Sequence, residues 1–222
     1  MTKLGWDCTS PNPNYCSGWS GVTCTNGLVT TVALNSNRLI GVIPTQIGLL
    51  TSMNRLNLAM NKLNGIIPTQ IGLLTGMTYL NLNNNNLNGI IPTQMGLLKS
   101  MAYLGLVYNS LTGIIPTEIG LLTRLNSLSL GYIGGLTGII PTEIGLLSRL
   151  SVLYLMYNKL TGVVPAALCQ ASQLTTLALT HNPLKCYAKC LSTVPNLQVK
   201  RYDGVATVGV CPGTSVIDLH TR

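Results

Sequence analysis

A chain of 222 residues that is 46% hydrophobic and only 8% charged carries enough apolar material for a sizeable core. No apolar run reaches the ~18 residues of a membrane span, so that material is expected inside the fold. The net charge of +8 is spread along the chain without a dense basic run, which argues against nucleic acid as a partner.

The first residues, Met1 to Trp6, lack the apolar stretch of a secretory signal. Three cysteines follow, Cys8, Cys16 and Cys24, and the other four wait until the far end at Cys169, Cys186, Cys190 and Cys211. Cysteines confined to the two ends of a chain suit disulfide-stapled caps in an oxidising compartment. A zinc site at Cys186-x3-Cys190 is the competing reading, but it lacks a second ligand pair at metal spacing. Among the last four cysteines three pairings are open. Cys8 is left over, with a partner expected upstream of this sequence.

Between the ends one unit of about 24 residues recurs seven times. Its proline phrase, GxIPTQIGLL and variants, falls at Pro44, Pro68, Pro92, Pro116, Pro141 and Pro165. A second phrase, LxLxxNxL, keeps the same beat, as in Leu56-Leu58-Asn61-Leu63 and Leu80-Leu82-Asn85-Leu87. A fixed period of this length marks a solenoid of stacked coils. In LxL the leucines point inward and the residue between them points out, and each strand pairs in parallel with the next, roughly 4.8 Å away. The recurrent Asn is expected to satisfy buried backbone groups where the chain leaves the strand, a structural rather than a functional duty. Met53, Met77 and Met101 fill one recurring Leu slot as soft core residues.

This wording resembles the plant-type leucine-rich repeat, as in receptor-kinase ectodomains and polygalacturonase-inhibiting proteins, over roughly residues 28 to 184. The stretch from Cys16 through Trp19 to Cys24 is similar to that family's N-terminal cap, although its spacing is one residue longer and most of the preceding helix is missing. The resemblance implies an α/β-type solenoid: a right-handed superhelix with a parallel β-sheet on its concave face and a mostly 3-10 or irregular convex side. It also implies a cap over 1–27, seven repeats over 28–184 and a cysteine-containing cap and tail over 185–222. The Cys16–Cys24 bridge is expected in the first cap, and two bridges among Cys169, Cys186, Cys190 and Cys211 in the second. The chain is expected to be a mature or trimmed form of a secreted protein or ectodomain, which a membrane span and kinase could follow in a longer chain. Plant ectodomains of this class usually carry glycosylation sequons, and none occurs here.

Comparing the coils with one another locates a working face. The convex phrase is nearly constant, whereas the outward strand positions vary. One stripe runs Thr31, Arg55, Tyr79, Tyr103, Ser127, Val152, Thr176, and another Ser36, Met60, Asn84, Tyr108, Tyr132, Tyr157, His181. Between them lie two more rows, one holding Asn81 and Tyr154 and the other Asn83 and Met156. A constant frame with a varied, Tyr-rich face is the layout of a recognition surface, since Tyr joins large apolar area to a polar tip. Arg55, Tyr79, Tyr103, Tyr108, Tyr132, Tyr154, Met156 and Tyr157 are therefore the candidate ligand-binding residues. The plainer reading is that the tyrosines stack to stabilise the sheet. Coil five departs from the pattern: Leu128-x-Leu130 is followed by Gly131-Tyr-Ile-Gly-Gly135, one residue longer and without the ladder Asn. A bulge is expected there, displacing Tyr132 from its neighbours.

Catalysis is not expected. The two histidines and five acidic residues make no paired constellation, nucleophile elbow, phosphate loop or metal motif, and no cofactor is implied. The expected function is extracellular, non-enzymatic recognition of a protein or peptide through the Tyr-rich face, with a polysaccharide as the alternative partner. Inhibition of a secreted hydrolase is a second reading, implied by the resemblance. A third is carbohydrate or ice binding through the convex ladder of Thr45, Thr69, Thr93, Thr117 and Thr142.

Overall fold

The computed structural model describes residues 16–198 and 209–212. Cys8, the leading residues and most of the C-terminal tail lie outside them. One nine-stranded sheet runs the length of the solenoid. It opens with an antiparallel hairpin, Val22–Thr25 against Leu28–Ala33. Parallel three-residue strands then follow, Arg55–Asn57, Tyr79–Asn81, Tyr103–Gly105, Ser127–Ser129, Val152–Tyr154, Thr176–Ala178 and Asn196–Gln198. Register is unbroken: Thr31, Arg55, Tyr79, Tyr103, Ser127, Val152, Thr176 and Asn196 pair in one row.

The inward leucines explain why the strands hold together. Leu56, Leu80, Leu104, Leu128, Leu153 and Leu177 are wholly buried, and so are Met53, Met77 and Met101 in their shared slot. Opposite the sheet, each proline fixes the extended residue before a short 3-10 turn, as at Thr69–Leu73, Thr93–Leu97 and Thr117–Leu121. Proline supplies the required φ, and a 3-10 turn is tight enough to bring the chain back within one coil. Successive turns approach closely at their glycines: a Cβ added to Gly96 would lie 2.7 Å from the Glu118 carbonyl. No α-helix occurs among the described residues.

A smaller set of parallel pairings forms a flank beside the main sheet, Ile40–Val42 with Lys62–Asn64, Thr112–Ile114 with Gly135–Thr137, and Gly162–Val164 with Leu184–Tyr187. Disulfides lie at both ends. Cys16 joins Cys24, and of the three pairings open for the last four cysteines the structure takes Cys169–Cys190 and Cys186–Cys211. The first of these ties two successive 3-10 turns together.

The ladder asparagines close the corners between sheet and flank. Asn85 is nearly buried; its amide donates to the carbonyls of Leu58 and Leu82 at 3.0 and 3.1 Å, and its Oδ1 accepts the Leu63 N–H at 3.0 Å. Asn61, Asn109 and Asn182 repeat this arrangement. Each Asn thus bridges adjacent coils and leaves no inward backbone group bare. Asn85→Ala would strand the buried Leu63 N–H, while the Leu58 and Leu82 carbonyls keep the amides of Asn61 and Asn109, and is expected to cost about 1–3 kcal/mol in denaturant unfolding. A loss below about 1 kcal/mol would show that the ladder is dispensable.

Candidate ligand-binding face

The strand register brings Arg55, Tyr79 and Tyr103 side by side on the outward surface. The Arg55 guanidinium lies 3.7 Å from the centre of the Tyr79 ring, within cation–π range, and the Tyr79 and Tyr103 rings stack at 4.6 Å. That separation follows the strand spacing, so the sheet itself sets the stack. Two asparagines hold the ring tips. Asn81 donates to the Tyr79 hydroxyl and Asn83 to the Tyr103 hydroxyl, each at 3.2 Å. Asn83 is itself fixed by the Val107 N–H, 2.8 Å from its Oδ1. Gly105 makes room: a Cβ there would meet the Tyr103 hydroxyl at 2.7 Å. Sequence reading placed Asn81 and Asn83 in the outward rows without seeing their role, because a bond to a tyrosine tip has no spacing signature.

The second stripe differs from the expectation. Ser36, Met60, Asn84, Tyr108, Tyr132, Tyr157 and His181 are not strand residues. All have positive φ, between 51° and 59°, in the turn beyond the strand. This left-handed region costs a bulky L-residue roughly 1–2 kcal/mol, which short residues such as Ser36 and Asn84 bear more easily. The aromatic members recover part of that cost by stacking in a column. Tyr108 and Tyr132 are 4.5 Å apart, Tyr132 and Tyr157 4.3 Å, and Tyr157 and His181 3.8 Å. His181 completes the column.

Coil five corrects a further expectation. Tyr132 is not displaced: it keeps its φ of 51°, its place in the column, and a 2.8 Å bond from its N–H to the Met156 carbonyl. The extra residue is taken up after it, at Ile133-Gly134-Gly135, where Gly134 has φ +71°. A conformation open to glycine absorbs the insertion before it reaches the aromatic row.

The candidate residues thus fall into two stacks, Arg55–Tyr79–Tyr103 on the sheet and Tyr108–Tyr132–Tyr157–His181 at its edge. Tyr154 is half-buried on strand Val152–Tyr154, and among the described residues no ring contact joins it to either stack. Met156 lies across coil five, where a Cβ on Gly131 would meet its sulfur at 2.6 Å. No cluster of three or more metal-ligating side chains occurs among the described residues.

Comparison with known proteins agrees with this geometry. Leucine-rich-repeat family models match residues 123–184 and 76–98. Among solved structures, the plant peptide hormone receptor RGFR1, in complex with RGF2, is 31% identical with a TM-score of 0.76 over 83% of this chain and 33% of its own. The chain is a plant-type leucine-rich-repeat protein. PEPR1, solved with AtPEP1, is similar at 27% identity and a TM-score of 0.77, over 90% of this chain and 29% of its own. A plant ice-binding protein is 30% identical, with a TM-score of 0.71 over 84% of this chain and 59% of its own. The repeat protein thus spans about a third of the length of the two receptors it resembles. No curated protein sequence matches it.

The hydroxyls of the face carry a pH signature. Burial, with a smaller contribution from Tyr79, raises the Tyr103 pKa above its ordinary value near 10. Desolvation within the column, followed by its neighbours Tyr108 and Tyr157, raises that of Tyr132. Above the ordinary value the folded chain then holds protons that the unfolded chain has released, so stability falls as pH rises through that window. Ultraviolet titration is expected to show late-ionising tyrosines, and Tyr132→Asn to make the alkaline loss of stability shallower. A slope unchanged by the substitution would contradict the assignment.

Proposed function

We propose that this repeat protein is an extracellular recognition module that binds a peptide or protein through the concave, tyrosine-bearing surface. The observation that carries the reading is the pair of prearranged aromatic stacks on a frame that is otherwise repeated from coil to coil. Arg55, Tyr79, Tyr103, Tyr108, Tyr132, Tyr154, Met156 and Tyr157 are the proposed contact residues. Rings already fixed by stacking and by Asn81 and Asn83 lose little freedom on binding, so more of their contact energy becomes affinity. Two structures of similar fold were solved with RGF2 and AtPEP1, which supports a peptide class of ligand. Disulfides at both ends suit an oxidising, extracellular setting. Among the described residues no helix is long and apolar enough to cross a membrane. The fold is that of receptors and binding modules, and the proposed role is non-enzymatic.

The test uses substitutions that the chain already accepts at equivalent positions. Tyr103→Ser copies Ser127, and Tyr132→Asn copies Asn84, so the double variant is expected to fold. It should retain a partner from source-organism extracellular fluid at least ~10-fold more weakly than the native protein, the loss of about 1.4 kcal/mol typical of an anchor residue. Equal retention by the two, or retention by neither, would return the tyrosines to sheet packing.

A second reading rests on the flank. Val42, Ile66, Ile90, Ile114, Ile139 and Val163 recur at one position of successive coils, and five of the six are about 60% exposed. Beside them the hydroxyls of Thr112, Thr137 and Thr161 are tied back to the preceding coil at 3.2 Å. The convex Thr45, Thr69, Thr93, Thr117 and Thr142 instead donate to their adjoining Gln or Glu side chains. A regular, uncharged apolar rank is a large surface to leave open, and the similarity to a plant ice-binding protein gives it a candidate target. If this face holds ice, Ile90→Lys with Ile114→Lys abolishes ice shaping and Tyr132→Asn leaves it intact. Unshaped ice growth in the presence of the native protein would eliminate the reading.

A further inference from the structure

Coil five contains the one gap in the asparagine ladder. Elsewhere a main-chain N–H of one coil reaches the Oδ1 of the next ladder Asn: Leu39 to Asn61 at 2.9 Å, Leu63 to Asn85 at 3.0 Å, Leu87 to Asn109 at 3.1 Å and Leu160 to Asn182 at 3.0 Å. In coil five Ile133 stands in the Asn position, and the added residue shifts the chain so that Gly134 donates to the Tyr157 carbonyl at 3.1 Å. The corresponding N–H, that of Leu136, does not pair with Asn158. Asn158 is 2% exposed, and its Oδ1 is buried without a hydrogen-bond partner in the protein.

The rest of that side chain is committed. Its amide group donates to the carbonyls of Leu130, Leu155 and Met156 at 2.8, 3.1 and 3.4 Å, so the amide cannot turn over and Oδ1 can only accept. A buried acceptor left bare is costly, and it calls for a donor from outside the chain. A cleft of about 320 Å³ lies at the same place, walled by Tyr108, Tyr132 and Tyr157, with Gly134, Asn158 and Lys159 around it. A Cβ added to Gly134 would find nothing within 4 Å, so the space beside this residue is open.

We propose that this gap is an anchor site for a peptide ligand, in which a main-chain N–H of the ligand takes the place in the ladder that the Leu136 N–H leaves open. The class of donor is argued from the ladder itself: at every intact rung the group on Oδ1 is a peptide N–H. The adjoining ligand side chain lies along the edges of the tyrosine column, and the exposed Lys159 offers its ammonium to a ligand carbonyl or carboxylate. Gly134, in a left-handed conformation outside the strands, lets the chain move aside as the donor enters. The inference rests on the reading that the ligand is a peptide, and it assigns one point of contact.

The test uses two small probes on the native protein, followed by NMR of the Asn158 side-chain amide. N-acetylglycine N-methylamide carries peptide N–H donors, whereas N,N-dimethylacetamide is a similar amide without one. The first is expected to shift the Asn158 and Tyr132 signals saturably, the second at least ~10-fold more weakly. Equal shifts from both would reduce the cleft to an apolar contact. A response to neither would mean that water alone serves Oδ1. Either result overturns the site. A ladder-closing variant, Ile133→Asn with Gly134 deleted, is expected to melt higher and to lose the response to the first probe; an undiminished response also overturns it. Retention of a natural partner separates the two claims. If the closed-ladder variant keeps the partner while the Tyr103→Ser, Tyr132→Asn protein loses it, the concave-face reading stands and the anchor site falls.

Discussion

A coil that leaves a sheet and turns back on itself exposes backbone groups to its own core, and the asparagine ladder is what makes that tolerable. At the intact corners one side chain serves groups of two adjacent coils. Because the amide reaches one coil back, the intact corners keep a common offset that matches the register of the sheet. Everything on the outer surface inherits that offset: the rings of the two stacks, the exposed flank rank and the 3-10 turns all repeat at the strand spacing. The leucines supply the bulk of the driving force, and the ladder serves the polar backbone at the corners that leucine cannot.

The same constraint explains why the surface can vary. Within a coil, the residues that point outward have few obligations to the core, so Arg, Tyr, Ser, Val and Thr can follow one another in a single register row. The left-handed corner position is more demanding. It accepts Ser36 and Asn84 at small cost, and its three tyrosines and one histidine stand together in a run. A ring in the middle of the column finds a partner on either side, and Tyr132 occupies that middle place. Aromatic residues at this corner therefore act as a group.

Much of this was legible in the sequence. The 24-residue beat fixed which residues share a row, and Arg55, Tyr79 and Tyr103 lie in register as their spacing implies. Met53, Met77 and Met101 were readable as core because they replace leucine at the same step. What escaped was conformation at single residues. A count of outward positions cannot tell a strand residue from a left-handed one, so Tyr108, Tyr132 and Tyr157 read as sheet when they belong to the corner. Nor does length alone say where an insertion is absorbed; Gly134 could take up the extra residue, and Tyr132 kept its place. The cysteine pairing depended on which turns stack in space, a relation that spacing along the chain leaves open. The asparagines that tether the tyrosine tips were invisible for the same reason.

The two stacks also differ in how they would respond to a change in the number of coils. Each coil touches chiefly its neighbours, so a whole 24-residue unit can be gained or lost without rebuilding the core. A unit added between Met53 and Arg55 would lengthen the solenoid and leave both aromatic groups intact. One with Ser or Asn at the corner, added between Tyr132 and Tyr157, would split the column, leaving Tyr132 with one ring neighbour while its left-handed backbone stayed as demanding as before. The aromatic column thus divides the chain into a stretch where any unit can be inserted at little cost and one where an inserted unit must bring its own ring, a distinction that the uniform repeat itself does not make.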